Sequence, residues 1–463
     1  MDRHVKLSAL ALIVVLIGLL ATLPRPPAVA ANPLTGVTAL ATGWRHTCAL
    51  KANGDVVCWG ANFGGQLGDG TTTDRARPVT VDGLHDVVAI DAGSSFTCAL
   101  IGDGTVRCWG DQVVAQDGSG GRRLTTSPAA VSGLPDGIEG LSAGFEHACV
   151  FEGNGNLYCW GDGPFFEAEP MGLIAKVVLP PPRPPEAVGG LDEPIVAVAA
   201  GRDHTCALTE LGTVACWGFD ILRNGGPVRW PDSRTPVNVE GLPETAQISA
   251  GSRITCALAR DGRVFCWGRG VGAGTDEVIV EPVEVVLGST ASSVEAGPEG
   301  ACALLADGDI RCWGANSTGQ LGDGTRDYGL LPVRPDVGDL PILAVSAGNR
   351  HTCAVIEGGE VWCWGDDTYS QLGDVGTQMC DLGPPGVCSL TPVEIQTPDP
   401  GDIDCDGAAN ATDATLVLQA HAGLLTLPHC GNGSDINHDG VTDSIDAVLL
   451  LQFEAGLLEE LPA

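Results

Sequence analysis

Lysine is nearly absent: the 463 residues contain only Lys6, Lys51 and Lys176. With 24 basic against 58 acidic side chains, the formal net charge is −34. Nucleic acids and anionic membranes are held by clustered Lys and Arg, so this balance argues against either as a partner. It suits an extracellular protein, and it suits calcium. A helix-favouring composition is absent too, with Gly 65 and Pro 31. Beyond residue 20 no apolar run approaches the ~20 residues that a spanning helix needs. No C-x-x-C opens a helix, which removes the usual redox motif. The glycine-rich stretch 64–71 lacks a following Gly-Lys-Ser/Thr, so it is a turn rather than a phosphate cradle.

What is present begins with a charged N-terminus, Arg3 and Lys6, then an apolar run at 7–20 and Ala28-Val29-Ala30. That order is the pattern of a secretory signal peptide over 1–30. An uncleaved anchor is the alternative, but Pro24, Pro26 and Pro27 make a poor end for a membrane helix. The mature chain is expected outside the cell, where thiols oxidise.

Seven cysteine pairs recur: Cys48/Cys58, Cys98/Cys108, Cys149/Cys159, Cys206/Cys216, Cys256/Cys266, Cys302/Cys312 and Cys353/Cys363. Trp-Gly follows each second cysteine, and a glycine stands five residues before each first one, from Gly43 to Gly348. The period is 46 to 57 residues. Self-similarity at that length signals a propeller or a solenoid. Six residues after each first cysteine comes another glycine, as at Gly54. A three-residue hairpin loop ends in the left-handed region, where glycine is least strained. With 52–54 as that loop, Leu50 faces Val56, Ala49 faces Val57 and Cys48 faces Cys58. The cysteines then occupy a non-hydrogen-bonded pair with alpha carbons ~4.5 Å apart, within reach of a disulfide. Zinc would need four converging ligands, and each hairpin offers two. Structural disulfides are the expectation. Val57 and Trp59 lie on one face of the strand, Val56 and Cys58 on the other, so it is apolar on both faces and belongs in stacked sheets. Four strands per unit, an inner one such as 88–92, the two cysteine strands and an outer one near Pro78-Val79, predict a mainly β, seven-bladed propeller.

The pattern A-G-x-x-H-T-C-A-L…C-W-G-x-N-x-x-G-Q-L-G-D-G-T resembles the regulator-of-chromosome-condensation (RCC1-type) repeat. It is fullest at 41–71 and 347–377, and strong at 296–325, where Gly300 replaces the histidine. The resemblance covers about 36–397 and implies the seven-bladed fold. The units starting at Cys98, Cys149, Cys206 and Cys256 lack the G-Q-L-G-D-G-T loop. The best-known nuclear member exchanges nucleotide on a small GTPase, and none of its functional residues is carried over. Exported relatives are similar in using loops on one face to bind proteins.

His46, His147, His204 and His351 share one repeat position, occupied by Phe96, Ile254 and Gly300 elsewhere. That mixture points to packing rather than a metal ring. The repeat tryptophans are expected as wedges between blades. Binding residues concentrate on loops over rigid scaffolds. Two insertions are therefore candidate binding segments: 162–185 with Phe165, Phe166 and a proline run, and 374–389, where Cys380 and Cys388 are expected to close a local loop. Neither carries a nucleophile–base pair, and padding is the alternative for both.

Composition changes after Pro400. Asp402, Asp404, Asp406, Ala408 (backbone), Asn410 and Asp413 fall at the ligand positions of a twelve-residue calcium loop, with Gly407 at its sharp turn. Asp435, Asn437, Asp439, Val441 (backbone), Asp443 and Asp446 repeat the pattern around Gly440. Each loop runs into an apolar helix, 414–422 and 447–455. Crowded carboxylates repel, so calcium is expected to be needed for folding. Two such copies in about sixty residues look like a dockerin domain over 398–463, with Cys405 and Cys430 expected to join the copies. The resemblance implies two bound Ca2+ ions and docking to a cohesin domain on a scaffold or cell-surface protein. Loop positions 10 and 11, Ala411-Thr412 and Ser444-Ile445, would set partner choice. The sequence supports best a secreted, non-enzymatic binding protein whose propeller loops take a protein or glycan. A carbohydrate-active enzyme delivered by its dockerin, and a propeller inhibitor of a secreted enzyme, are the rivals.

Overall fold

The computed structural model describes residues 33–111, 124–161, 183–218, 233–338, 341–373, 378–380, 386–397, 403, 411–421 and 444–454. Residues 1–30, with the signal-peptide pattern, lie outside them. Seven antiparallel sheets form, each from strands consecutive in the chain. Blade 1 comprises Val37–Thr42, His46–Lys51, Val56–Gly60 and Arg75–Thr80. Blades 2 to 7 repeat it, with inner strands Val87–Ala92, Ile138–Ala143, Ile195–Ala200, Thr245–Ala250, Ala291–Ala296 and Ile342–Ala347. Each inner strand packs beside the next, and the last packs beside the first, so the ring is closed. A bridge between Pro33 and Gln396, with Leu34 N–H donating to Ile395 O at 2.8 Å, ties the start of the propeller to its last blade.

The hairpin explains each blade's register. Gly54 takes φ 84° and its N–H returns to Lys51 O at 2.9 Å, leaving Cys48 opposite Cys58. The glycines at that position in the other six hairpins also have positive φ. All seven expected disulfides are present. Cys48 is bonded to Cys58, Cys98 to Cys108, Cys149 to Cys159 and Cys206 to Cys216. Cys256 is bonded to Cys266, Cys302 to Cys312 and Cys353 to Cys363. In every pair the alpha carbons stand 4.1 Å apart, somewhat closer than the ~4.5 Å of the sequence reading. With their sulfurs joined, these pairs are neither zinc ligands nor a dithiol centre. Cys388 is also disulfide-bonded. Cys380, its expected partner, ends a fifth strand of blade 7, Gln378–Cys380, which pairs with Gly386–Glu394. The sequence reading did not anticipate that strand; the side chain of Cys380, and Cys405 and Cys430 entirely, lie outside the described residues.

Every repeat tryptophan is buried against the preceding blade. Trp109 joins Leu50, Val56 and Cys58 of blade 1, Trp313 joins Leu258 and Val264 of blade 5, and Trp59 joins Val355 and Cys363 of blade 7. The G-Q-L-G loops add a polar lock. The Nε1–H groups of Trp109, Trp364 and Trp59 donate to the carbonyls of Gln66, Gln320 and Gln371 at 2.8, 2.8 and 2.9 Å. Within such a loop Asn62 accepts from Leu67 N–H and donates to Asp69, whose carboxylate forms a buried pair with Arg75 at 2.8 Å. Gly68 lies so close to the Trp109 ring that a Cβ would sit 2.7 Å from Nε1. Blade 5 lacks the motif but keeps its core: Val271 is buried where Leu67 would be, and Gly272 abuts Trp313. Here Trp313 Nε1 is buried without a hydrogen-bond partner.

The two C-terminal helices, Ala411–His421 and Ser444–Glu454, begin three residues earlier than the sequence suggests. The last loop carboxylate sits inside the first turn, where an acidic side chain is favoured by the helix dipole. No helix among the described residues is long and apolar enough to cross a membrane.

Trp109→Ala is expected to destabilise the propeller by ~3–5 kcal/mol through the cavity it leaves. Leu211→Ser, at a position 63% exposed, should stay within about 0.5 kcal/mol. Chemical denaturation of both variants checks the wedge role.

Candidate functional site

The inner strands surround an axial cavity of about 300 Å³. One register position, opposite the first cysteine of each blade, holds Ala41, Asp91, Ser142, Ala199, Ser249, Glu295 and Ser346, and all but Ala41 line the cavity. Adjacent inner strands do not pair as a ladder, so side chains satisfy their free N–H groups. Asp91 Oδ2 accepts from Ala143 N–H at 2.8 Å, Ser142 Oγ from Ala200 at 3.0 Å, and Ser346 Oγ from Thr42 at 3.1 Å. Glu295 accepts from Gln247 Nε2 at 3.2 Å and Ser249 Oγ at 3.3 Å.

Both carboxylates reach the cavity, and both residues are partly buried. Burial pushes Asp91 up to about 6, against hydrogen bonds from Ala143, Ala92 and Ser142 that oppose the rise. Burial, then repulsion by Asp91, pushes Glu295 up to about 7. Sequence reasoning missed this pair. The available signal was an acidic residue in a slot that holds Ala or Ser in the other five blades.

One face of the cavity opens through the loops after the repeat glycines. Trp44 and Phe145 meet there with ring centroids 4.8 Å apart, and Arg202 lies over Phe145 at 4.9 Å. Arg45 lies between Trp44 and Tyr369, 5.1 and 4.5 Å from their ring centres. Main-chain bonds from Trp44 N–H to Gly93 O at 3.3 Å and Arg202 N–H to Gly251 O at 3.2 Å stitch these loops from blade to blade. This rim, not the insertions, is the surface the structure defines: 162–182, 374–377 and 381–385 fall outside the described residues.

The four repeat histidines are buried between blades and form no metal ring. Each Nε2 lies 2.8–3.0 Å from a threonine hydroxyl of the next blade: His46 to Thr97, His147 to Thr205, His204 to Thr255, His351 to Thr47. Thr97 Oγ1 donates onward to Gln66 O at 2.9 Å, so His46 Nε2–H is the donor to it. Burial lowers His46 and His147 to about 3, and His204 and His351 to about 4. These imidazoles are neutral.

In the C-terminal module Asp413 and Asp446 are fully buried in the first turns of the two helices. Asp413 Oδ1 accepts from Ile403 N–H at 2.6 Å. Ile403, Ala414, Val417, Ala447 and Leu450 pack as one small core. Ala411 and Ser444 open the helices, while Thr412 and Ile445 are exposed beside them. The remaining sequence-predicted ligands, Asp402, Asp404, Asp406, Ala408, Asn410, Asp435, Asn437, Asp439, Val441 and Asp443, lie outside the described residues. Asp413 and Asp446 are desolvated carboxylates that end two Asp- and Asn-rich runs of the sequence, and such oxygens are the donors a hard cation takes, so the residues fit calcium.

The regulator of chromosome condensation (RCC1) repeat matches at 37–66, 87–116, 138–166, 195–220, 246–271, 291–320 and 342–371. A second form of the repeat matches 53–100 and 307–355. The chain belongs to the RCC1-repeat family. A dockerin type I domain matches 400–453, which makes this member a propeller with a C-terminal dockerin. This RCC1-repeat chain is similar to the ultraviolet-B receptor UVR8 of Arabidopsis thaliana, 30% identical over 382 residues, 79% of this chain and 71% of that one. The human E3 ubiquitin-protein ligase HERC2 is 28% identical over 245 residues, 50% of this chain but 5% of that protein. Among solved structures, Prp20p of Saccharomyces cerevisiae superposes with TM-score 0.60 at 22% identity, covering 74% of this chain and 86% of that one. Human WBSCR16 gives 0.59 at 19%, covering 70% and 88%. These two likenesses show the fold.

Buried neutral histidines set a pH dependence. A base whose pKa is depressed by folding contributes full stability above its unfolded value near 6.5 and loses it as pH falls toward 3–4. Asp91 and Glu295 act oppositely, since acids with raised pKa gain stability over the same fall. His147→Phe, copying the Phe96 solution, removes one histidine from that balance. Its stability should drop by about 2 kcal/mol less than that of the parent between pH 7 and pH 5, read by urea denaturation at each pH.

Proposed function

We propose that this RCC1-repeat chain is an exported, non-catalytic binding protein. Its propeller presents one face to a protein or glycan ligand, and its dockerin couples it to a cohesin-type domain on a scaffold or cell-surface partner. The paired helices with buried Asp413 and Asp446 carry this reading. A buried carboxylate needs a compensating charge, and two calcium ions held by 402–413 and 435–446 would supply it and hold the loops in shape. Asp413 and Asp446 then anchor each loop to its helix, and 398–463 behaves as a unit separate from the propeller at 36–397. The second helix exposes Ile445, Val448 and Leu451, each 42–52% accessible. These side chains offer an apolar strip to a partner. Export is supported by the N-terminal pattern and by seven disulfides, which persist in oxidising compartments.

A carbohydrate-active enzyme has one observation in its favour, two carboxylates in a single cavity. Glycoside hydrolysis needs one acid and one base or nucleophile at a set separation. A polysaccharide-hydrolysis screen with Asp91→Asn and Glu295→Gln controls decides between the two readings: turnover that the variants lose supports the enzyme.

Calcium titration of the full chain should show two sites and a gain of far-ultraviolet helical signal. The Asp413→Asn, Asp446→Asn variant should lose both while its propeller denatures normally. Binding to a panel of cohesin domains should vanish with chelator, and Ile445→Asp should weaken it by about tenfold or more with calcium binding unchanged. Cohesin binding that survives the chelator contradicts the proposal.

A further inference from the structure

The charge in the axial cavity is uncompensated within the described wall. Asp91 and Glu295 receive hydrogen bonds only from neutral donors: backbone N–H groups, a serine hydroxyl and a glutamine amide. The sole basic side chain lining the cavity is Arg202, at the rim, stacked on Phe145 and 3.5 Å from Asp203. Carboxylates out of bulk water are stable when a cation pairs with them. A bare divalent ion needs six to eight oxygens. Here two carboxylates stand on blades 2 and 6, and the hydroxyls of Ser142 and Ser249 already take backbone N–H groups of the next blade. A neutral sugar would leave the charge as it is.

The exposed lining is mostly polar, with Leu141, Val198 and Ile248 bordering it, and Trp44 and Phe145 edge the entrance. Aromatic rims suit cations, as Arg45 over Trp44 and Arg202 over Phe145 already show here, and an acidic interior suits a compact ammonium head. The geometry points to the axial cavity as a site for an alkylammonium group, entering past Trp44 and Phe145 to lie between Asp91 and Glu295. A lysine side chain on a partner protein and a free diamine share that chemistry. The net charge of −34 draws either toward the chain. This narrows the ligand of the binding reading above, on which it rests, from a protein or glycan to a basic group.

The test titrates Nα-acetyl-lysine methylamide, putrescine, the uncharged norleucine analogue and a hexose into the calcium-loaded full chain at about pH 7.5, followed by calorimetry. Either amine should bind while the norleucine analogue and hexose stay silent, and the stronger amine tells which source the site prefers. Asp91→Asn combined with Glu295→Gln should weaken the amine by about tenfold or more, with the denaturation midpoint showing that the ring is intact. The comparison of lysine with norleucine needs no variant, so it stands even if the double substitution does not fold. Equal binding of the two, an undiminished amine in the double variant, or no heat from either amine overturns the inference. Binding of the hexose alone overturns it as well, yet leaves the propeller a binding module.

Discussion

Seven sheets can close around an axis only if each meets the next closely, and the repeat glycine makes that meeting possible. At Gly43 a Cβ would stand 2.6 Å from the carbonyl of Gly93, at Gly93 2.5 Å from that of Gly144, and at Gly348 2.8 Å from that of Gly43. At six of the seven junctions backbone thus meets backbone with no room for a side chain, while at Gly297 a Cβ would stand 3.4 Å from the carbonyl of Gly348. Farther out the spacing is filled by tryptophan, and between the two levels by histidine or its substitutes. The disulfide joins the two middle strands of each blade. Its small loop adds less than the ~3 kcal/mol of a fifteen-residue one, so bracing of single blades complements the packing between them.

A rim built from backbone leaves the axial register free to vary. Three blades place serine there and two place alanine; serine can satisfy the next blade's N–H. Asp91 does the same work with a carboxylate, and Glu295 reaches back to blade 5. Closing the ring brings both into one cavity, where poor solvation and mutual repulsion raise their pKa values. The charge follows from the same N–H accounting that holds the inner strands together. The C-terminal helices show a parallel logic at smaller scale, where buried Asp413 stands in the first turn of its helix and accepts from the Ile403 N–H.

Much of this was legible beforehand because hairpins are local. Loop length, glycine position and two-residue alternation decide that Cys48 meets Cys58 and that Val56–Gly60 is buried on both faces. The same local rule brings Cys108, Cys159, Cys216, Cys266 and Cys312 opposite their partners, although the loops beyond those strands differ in length. The recurrence of Trp-Gly marked the wedges, and the doubled acidic pattern after Pro400 marked the dockerin domain. Less legible were features whose partners sit in another blade: Val271 standing in for leucine, the fifth strand of blade 7, and the threonine that receives each histidine. A residue's neighbour across a blade interface lies roughly one repeat away, and unequal loops hide that offset.

The sequence by itself determined the blade, its disulfide and the number of repeats, because each depends on contacts within a few tens of residues. Only the tertiary structure decided that Asp91 of the second blade and Glu295 of the sixth share one cavity. Their approach depends on the summed rotation of every blade between them and on closure of blade 7 against blade 1. That sum is a property of the whole ring, and no short stretch of chain encodes it.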